Sequence, residues 1–200
     1  MKINVVGTSG SGKSTFSRRL AAQLAIPYIE MDALFWQPNW TPSSDAAFFA
    51  RLEQALAQAH WVLDGNYHRS CGIKWRQAQM IVWLDYSLTR TLWQATARAW
   101  RRSWRQQEIW PGTGNRESLR RSFLSRESVV LWTLKTYRSN RRRYLAIQQD
   151  PRYRHVQFVP LRSPRHAERF LSQLTASVSG QPLSAAADGR DSAAGGETDQ

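Results

Sequence analysis

Short apolar runs alternate with amphipathic stretches along most of this 200-residue chain. Five runs read as strands: Ile3–Val6, Tyr28–Met31, Trp61–Leu63, Met80–Leu84 and His155–Val159. Each is brief and poor in charge, as strands covered on both faces are. Helical periodicity fills the gaps. Thr15–Ala25 repeats apolar residues through Phe16, Leu20 and Leu24. Ser43–Ala59 lines one face with Phe48, Phe49, Leu52 and Leu56, and Ser43 or Ser44 can cap it. Further helices are expected over about Ser87–Trp104, over Glu117–Gln148, and from Pro164 to near Val178. This alternation predicts an α/β protein with a parallel sheet and helices on both of its faces.

The pattern breaks twice. Gln106–Asn115 holds Pro111, Gly112 and Gly114 and reads as a mobile loop. From about Ser179 the chain turns to Gly, Ser, Ala, Asp and Gln with no aromatic residue, so 179–200 is expected to be a disordered tail behind a single domain over 1–178.

The first strand runs straight into Gly7-Thr8-Ser9-Gly10-Ser11-Gly12-Lys13-Ser14, which fits the phosphate-loop (Walker A) pattern G-x-x-x-x-G-K-[ST]. Strand before and helix after are the context the motif requires. Glycines let the backbone curl with its N–H groups inward, so Gly7, Ser9, Gly10, Ser11, Gly12 and Thr15 are candidates to wrap nucleotide phosphates. The following helix adds its positive end. Lys13 is placed to reach the β- and γ-phosphates, and Ser14 to offer its hydroxyl to Mg²⁺. ATP and Mg²⁺ are the expected cofactors.

Three strand-end carboxylates compete for roles beside that loop. Trp61-Val62-Leu63-Asp64-Gly65 ends in Asp-Gly; Asp64 fits a metal-holding carboxylate, although Asp-Gly after a strand also makes a plain turn. Asp85, after Ile81–Leu84, is the rival for the metal, with a helix cap near Ser87 as its other reading. Asp32, after Tyr28–Met31, lies where ligands sit in open parallel sheets and suits the orientation of an acceptor hydroxyl, or a solvated loop.

Charge adds a second theme. The net charge is +13, and Arg90–Arg143 carries thirteen Arg and one Lys against Glu108, Glu117 and Glu127, a net of +11. Five tryptophans are interleaved there: Trp93, Trp100, Trp104, Trp110 and Trp132. Such a segment suits phosphates, whether of a small substrate or of nucleic acid, or is simply a solvated basic face. One cysteine, Cys71, excludes an internal disulfide, and the four histidines show no metal-ligand spacing. No apolar run approaches the ~20 residues of a membrane span. The expectation is a cytoplasmic protein, monomeric or homodimeric.

Taken together these motifs resemble the adenylate kinase-like small-molecule kinases of the P-loop class, and most of all the DNA topology modulation (FlaR-related) and adenylate kinase-related proteins. The resemblance runs from Met1 to about Leu174. It rests on the phosphate loop, Met31-Asp32, Pro38-Asn39-Trp40, Trp61–Tyr67, Val82–Asp85, Gly114–Glu117 and Leu161–Ser163. It implies the P-loop nucleoside-triphosphate hydrolase fold: a five-stranded parallel sheet, an acceptor flap over about 33–60 and an arginine-bearing lid over about 105–116. Asp64-Gly65 matches the Asp-Gly after the third strand of adenylate kinases. Phe-Pro-Arg follows there, with the Arg holding the acceptor phosphate. Here Asn66, Tyr67 and His68 follow and Arg69 lies just beyond, which argues against AMP in its usual pose. Arg98 looks like the lid-proximal arginine, whereas its expected companion one turn earlier falls on Gln94. Arg116 matches a lid arginine, and Arg162-Ser163 the loop bordering adenine.

The combined reading is an ATP- and Mg²⁺-dependent phosphotransferase with a small acceptor such as a nucleotide or nucleoside. Lys13, Arg98, Arg116 and Asp32 carry the catalysis in this reading, and Ser14 and Asp64 the metal. The alternative is a nucleic-acid-binding protein with a slow or regulatory ATPase, supported by Lys135, Arg138, Arg141, Arg142 and Arg143 on one helix.

Overall fold

A computed structural model describes residues 1–105 and 129–178. In chain order the elements are β1 (Lys2–Gly7), α1 (Lys13–Leu24), β2 (Tyr28–Glu30), α2 (Met31–Phe35), β3 (Trp36–Gln37), β4 (Thr41–Pro42), α3 (Asp45–Leu56), β5 (Trp61–Asp64), α4 (Cys71–Lys74), β6 (Met80–Leu84), α5 (Leu88–Arg105), α6 (Val129–Gln148), β7 (Gln157–Leu161) and α7 (Pro164–Val178). Five strands form one sheet in the order β2-β5-β1-β6-β7, every pairing parallel. β3 and β4 make a separate antiparallel hairpin between α2 and α3.

Side-chain alternation divides the core. Ile3, Val5, Val62, Met80, Val82 and Leu84 point to the sheet face covered by Phe16 and Leu20 of α1 and Leu171 of α7. Val6, Leu63, Ile81 and Trp83 point the other way, against Phe48, Leu52 and Leu56 of α3, with Trp75 and Tyr144. The strands are apolar on both sides because helices cover both sides.

The phosphate loop leaves the carboxyl end of β1, the central strand. Its neighbours are β5 on one side and β6 on the other. Register pairs Val5 with Asp64 and Gly7 with Leu84, so Asp64 and Asp85 flank the loop from opposite sides. This central strand, loop and helix within an all-parallel five-stranded sheet is the expected P-loop architecture.

Several boundaries differ from the sequence reading. β2 ends at Glu30, and Met31 and Asp32 open the short helix α2, so Asp32 sits on a helix turn and not on the strand end. β7 starts two residues late and runs through Pro160. Proline survives there because β7 is an edge strand, with one side that needs no donor. Asp85 does not cap α5. Ser87 does, its Oγ accepting from Arg90 N at 3.4 Å, while Asp85, two residues earlier, is held by Arg141. Ser44, one of the two cap candidates for α3, accepts from Ala47 N at 3.3 Å. The start of the helix expected from Glu117, most of the lid (106–116) and the 179–200 tail lie outside the described residues.

Candidate functional site

The loop is built for an anion. Gly12 precedes α1 in a left-handed conformation and brings no side chain to cap it, and no acidic residue stands in the first turn. The first-turn amides therefore meet no capping side chain, which suits phosphate oxygens. Lys13 Nζ reaches back to donate to Thr8 O at 3.2 Å.

Two helices brace the loop from outside. Thr133 Oγ1 on α6 donates to Ser9 O at 3.3 Å. Gly10 lies against α5 so closely that a Cβ there would meet Ala95 Cβ at 2.6 Å and Thr91 O at 3.0 Å, and its φ is +85°. Gly10→Ala is therefore expected to destabilise the fold by about 2–4 kcal/mol, overpacking and left-handed strain together. Urea unfolding checks this; unchanged stability would mean that α5 does not clamp the loop.

The structure separates the two rival carboxylates. Asp64 is 4% exposed on the α1 face of the sheet. Burial pushes its carboxyl upward, the Lys13 cation and the Ser14 hydroxyl pull it back, and Asp32 and Glu30 push again. Its Oδ2 accepts from Tyr28 Oη at 3.1 Å. Its Oδ1 is buried without a hydrogen-bond partner among the described residues. Asp85 is instead paired with Arg141 on α6, Nε to Oδ1 at 3.0 Å. The Asp64 surroundings fit Mg²⁺: a carboxylate oxygen without a donor, a serine hydroxyl and phosphate-binding amides are hard oxygen ligands and their neighbours. Among the described residues no group of three His, Cys, Asp or Glu forms a protein-only metal cage. Mg²⁺ bound largely through phosphate and water does not need one.

Asp32 comes to the same crevice, near enough to act on Asp64. Tyr67 Oη donates to Asp32 Oδ1 at 2.7 Å, and the Trp36 side chain hydrogen-bonds Tyr67 in turn. Tyr67 also packs on Phe35 and Phe48, and the Arg69 guanidinium lies 4.9 Å over the Phe35 ring and 3.2 Å from Asp45. Around Asp32 the structure thus gathers the half-buried Tyr67, backed by the buried Phe35 and Phe48, and one guanidinium paired with Asp45.

Asn66 is the group the sequence reading overlooked. It mimics a strand neighbour for the loop: Gly7 N donates to its Oδ1 at 3.0 Å, and its Nδ2 donates to Gly7 O at 2.6 Å. Tyr144 Oη also donates to Oδ1 at 3.0 Å. The carbonyls of Gly65 and Asn66 accept from Lys74 Nζ at 3.4 and 3.1 Å. Burial pulls this lysine down to about 8. Asp64 and the glycine-rich loop are therefore locked together through Asp64-Gly65-Asn66. A polar residue directly after Asp-Gly was the only signal. Nearby His68 is pulled down to about 4 by burial and by Arg143 and Lys74, so it carries no charge at neutral pH.

The remaining site residues fall as follows. Thr15 is exposed on the first turn of α1. Arg162 is exposed after β7, and Ser163 Oγ accepts from His166 N at 3.2 Å, capping α7. Arg98 lies on α5, where only the backbone is described, and Arg116 lies outside the described residues. Of the basic cluster on α6, Arg141 is engaged by Asp85. No helix among the described residues is long and apolar enough to cross a membrane.

No family model matches this sequence, and no curated protein does. Among solved structures the chain is similar to a gluconokinase from Sinorhizobium meliloti 1021, with 21% identity over 89% of this chain and 95% of that one, and a TM-score of 0.47.

Proposed function

We propose that this protein is an ATP- and Mg²⁺-dependent phosphotransferase acting on a small hydroxyl-bearing acceptor. The observation that carries this reading is the convergence of Lys13 and Ser14 on the buried, partly unpartnered carboxylate of Asp64. Lys13 and the loop amides hold the β- and γ-phosphates, and Ser14 and Asp64 hold the metal. Mg²⁺, when bound, neutralises charge on the oxygens of the transferring group. Asp32, steadied by Tyr67, orients the acceptor hydroxyl and takes its proton as the hydroxyl oxygen attacks the γ-phosphorus and the bond to the ADP oxygen breaks. Arg98 and Arg116 are assigned to charge on the transferring phosphoryl. The acceptor is a small molecule such as a nucleoside, nucleotide or sugar that enters beside Asp32 and the half-buried Tyr67.

Nucleic acid is a weaker fit, because Arg141 of the basic helix is already paired to Asp85 at the sheet end. The test is a screen of nucleosides, nucleotides and sugars with Mg-ATP. ADP release and the phosphorylated acceptor are both measured. One acceptor is expected to raise ADP release at least tenfold with matching product. ADP release indifferent to every small acceptor, and raised by DNA at physiological salt, would overturn the reading.

A further inference from the structure

Parallel pairing sets Glu30 of β2 directly beside Asp64 of β5. Tyr28, two residues before Glu30, shares its face of the sheet. Side-by-side carboxylates on one face repel. Here a single phenol lies between them: Tyr28 Oη is 3.1 Å from Asp64 Oδ2 and 3.1 Å from Glu30 Oε2. Its one proton can serve either oxygen. On the outer side Arg18 closes the group, its Nη2 2.8 Å from Glu30 Oε2 and its guanidinium 5.2 Å over the Tyr28 ring. Burial and the two carboxylates push the phenol far above its ordinary value, so it stays a donor at any working pH. Asp64 Oδ2 is thereby held, and Oδ1 is the oxygen left for another ligand.

We propose that Tyr28 is a positioning residue for the metal site: its hydroxyl, shared between Glu30 and Asp64, holds Oδ2 and fixes the Asp64 carboxylate so that Oδ1 is the oxygen left for the metal. This rests on Asp64 being the metal carboxylate, as proposed above. Groups that orient a metal ligand without touching the metal commonly change its affinity ~10–100-fold.

The test is Mn²⁺ affinity in the presence of ATP, read by electron paramagnetic resonance of the free ion, with metal-free ATP affinity and melting temperature measured alongside. Tyr28→Phe is expected to weaken Mn²⁺ about tenfold, to leave metal-free ATP affinity within about twofold, and to keep the fold, since the ring still packs under Arg18. In a Glu30→Gln background the phenol proton is no longer shared between two carboxylates, so Tyr28→Phe is expected to weaken Mn²⁺ at least as much as in the parent. Unchanged Mn²⁺ affinity in Tyr28→Phe overturns the proposal. So does a loss that vanishes in the Glu30→Gln background, which would make the phenol only a screen between two charges, or one matched by an equal loss of metal-free ATP binding. Asp64→Asn serves as the control: if it leaves Mn²⁺ affinity intact, the assignment of the metal carboxylate fails, which is a separate result from a failure of Tyr28 alone.

Discussion

Lys13→Ala is expected to weaken ATP binding about a hundredfold while the protein stays folded. The ammonium stands at the first position of α1, where it donates to Thr8 O and its charge acts on Asp64. A charge-assisted contact to phosphate contributes ~1.5–3 kcal/mol, and two decades of affinity correspond to about 2.7 kcal/mol. The cost to stability is small. Lys13 is only partly buried, and alanine is a good helix former at the same place. A secondary effect runs in the same direction. Without the Lys13 cation, the Asp64 carboxyl loses the largest influence that offsets its burial. Metal-dependent binding therefore falls further than binding of ATP alone. Calorimetric titration with and without Mg²⁺ measures both quantities. A folded Lys13→Ala protein that binds ATP within about threefold of the parent would remove the phosphate loop from the account.

The parts legible in the sequence were those fixed by local pattern. Val5, Val6, Val62, Leu63, Ile81 and Val82 are apolar without a break because helices cover both faces, and such runs announce buried strands. The loop was legible because an anion cradle needs glycine at set spacings. The rest depended on register and on long-range partners. Pro160 hid the end of β7, because tolerance of proline follows from the strand being at an edge, and edge position is a property of the whole sheet. Asp64 and Asp85 have nearly the same local sequence, an apolar run closed by Asp. Gly65 after Asp64 is their one local difference, and the partners that decide between them, Tyr28 for Asp64 and Arg141 for Asp85, come from distant elements. Tyr28 and Glu30 look like ordinary half-polar strand residues until β2 pairs with β5 and sets Glu30 against Asp64. Asn66 was legible only as a departure from a family pattern. Its two bonds to Gly7 cross 59 positions of sequence.

Asp64→Asn should separate binding from chemistry. The change keeps the shape of the side chain and removes its charge. Asp64 is buried and its carboxyl is already pushed upward, so a neutral amide is easier to bury than the carboxylate it replaces. Stability is expected to hold or rise slightly. Tyr28 keeps an oxygen to donate to, so the β2–β5 contact survives. ATP contacts through Lys13 and the loop amides also survive, and metal-free ATP affinity is expected within about threefold of the parent. If Ser14 and Asp64 hold the metal as proposed, the metal loses its one charged protein ligand. Removal of such a charge from a site that stabilises a transferring phosphoryl group is expected to cost about 10²–10³ in kcat, with higher Mg²⁺ needed for half-saturation. Asp85→Asn provides the contrast. It breaks the ion pair with Arg141 and loosens α6 against the sheet, so its effect should fall on melting temperature before it falls on Mg²⁺ dependence. Side-by-side measurement of melting temperature, ATP affinity and Mg²⁺-dependent turnover decides the matter. If Asp64→Asn turns over normally while Asp85→Asn is folded and inactive, the metal belongs to β6 and the Arg141 pair must open to admit it.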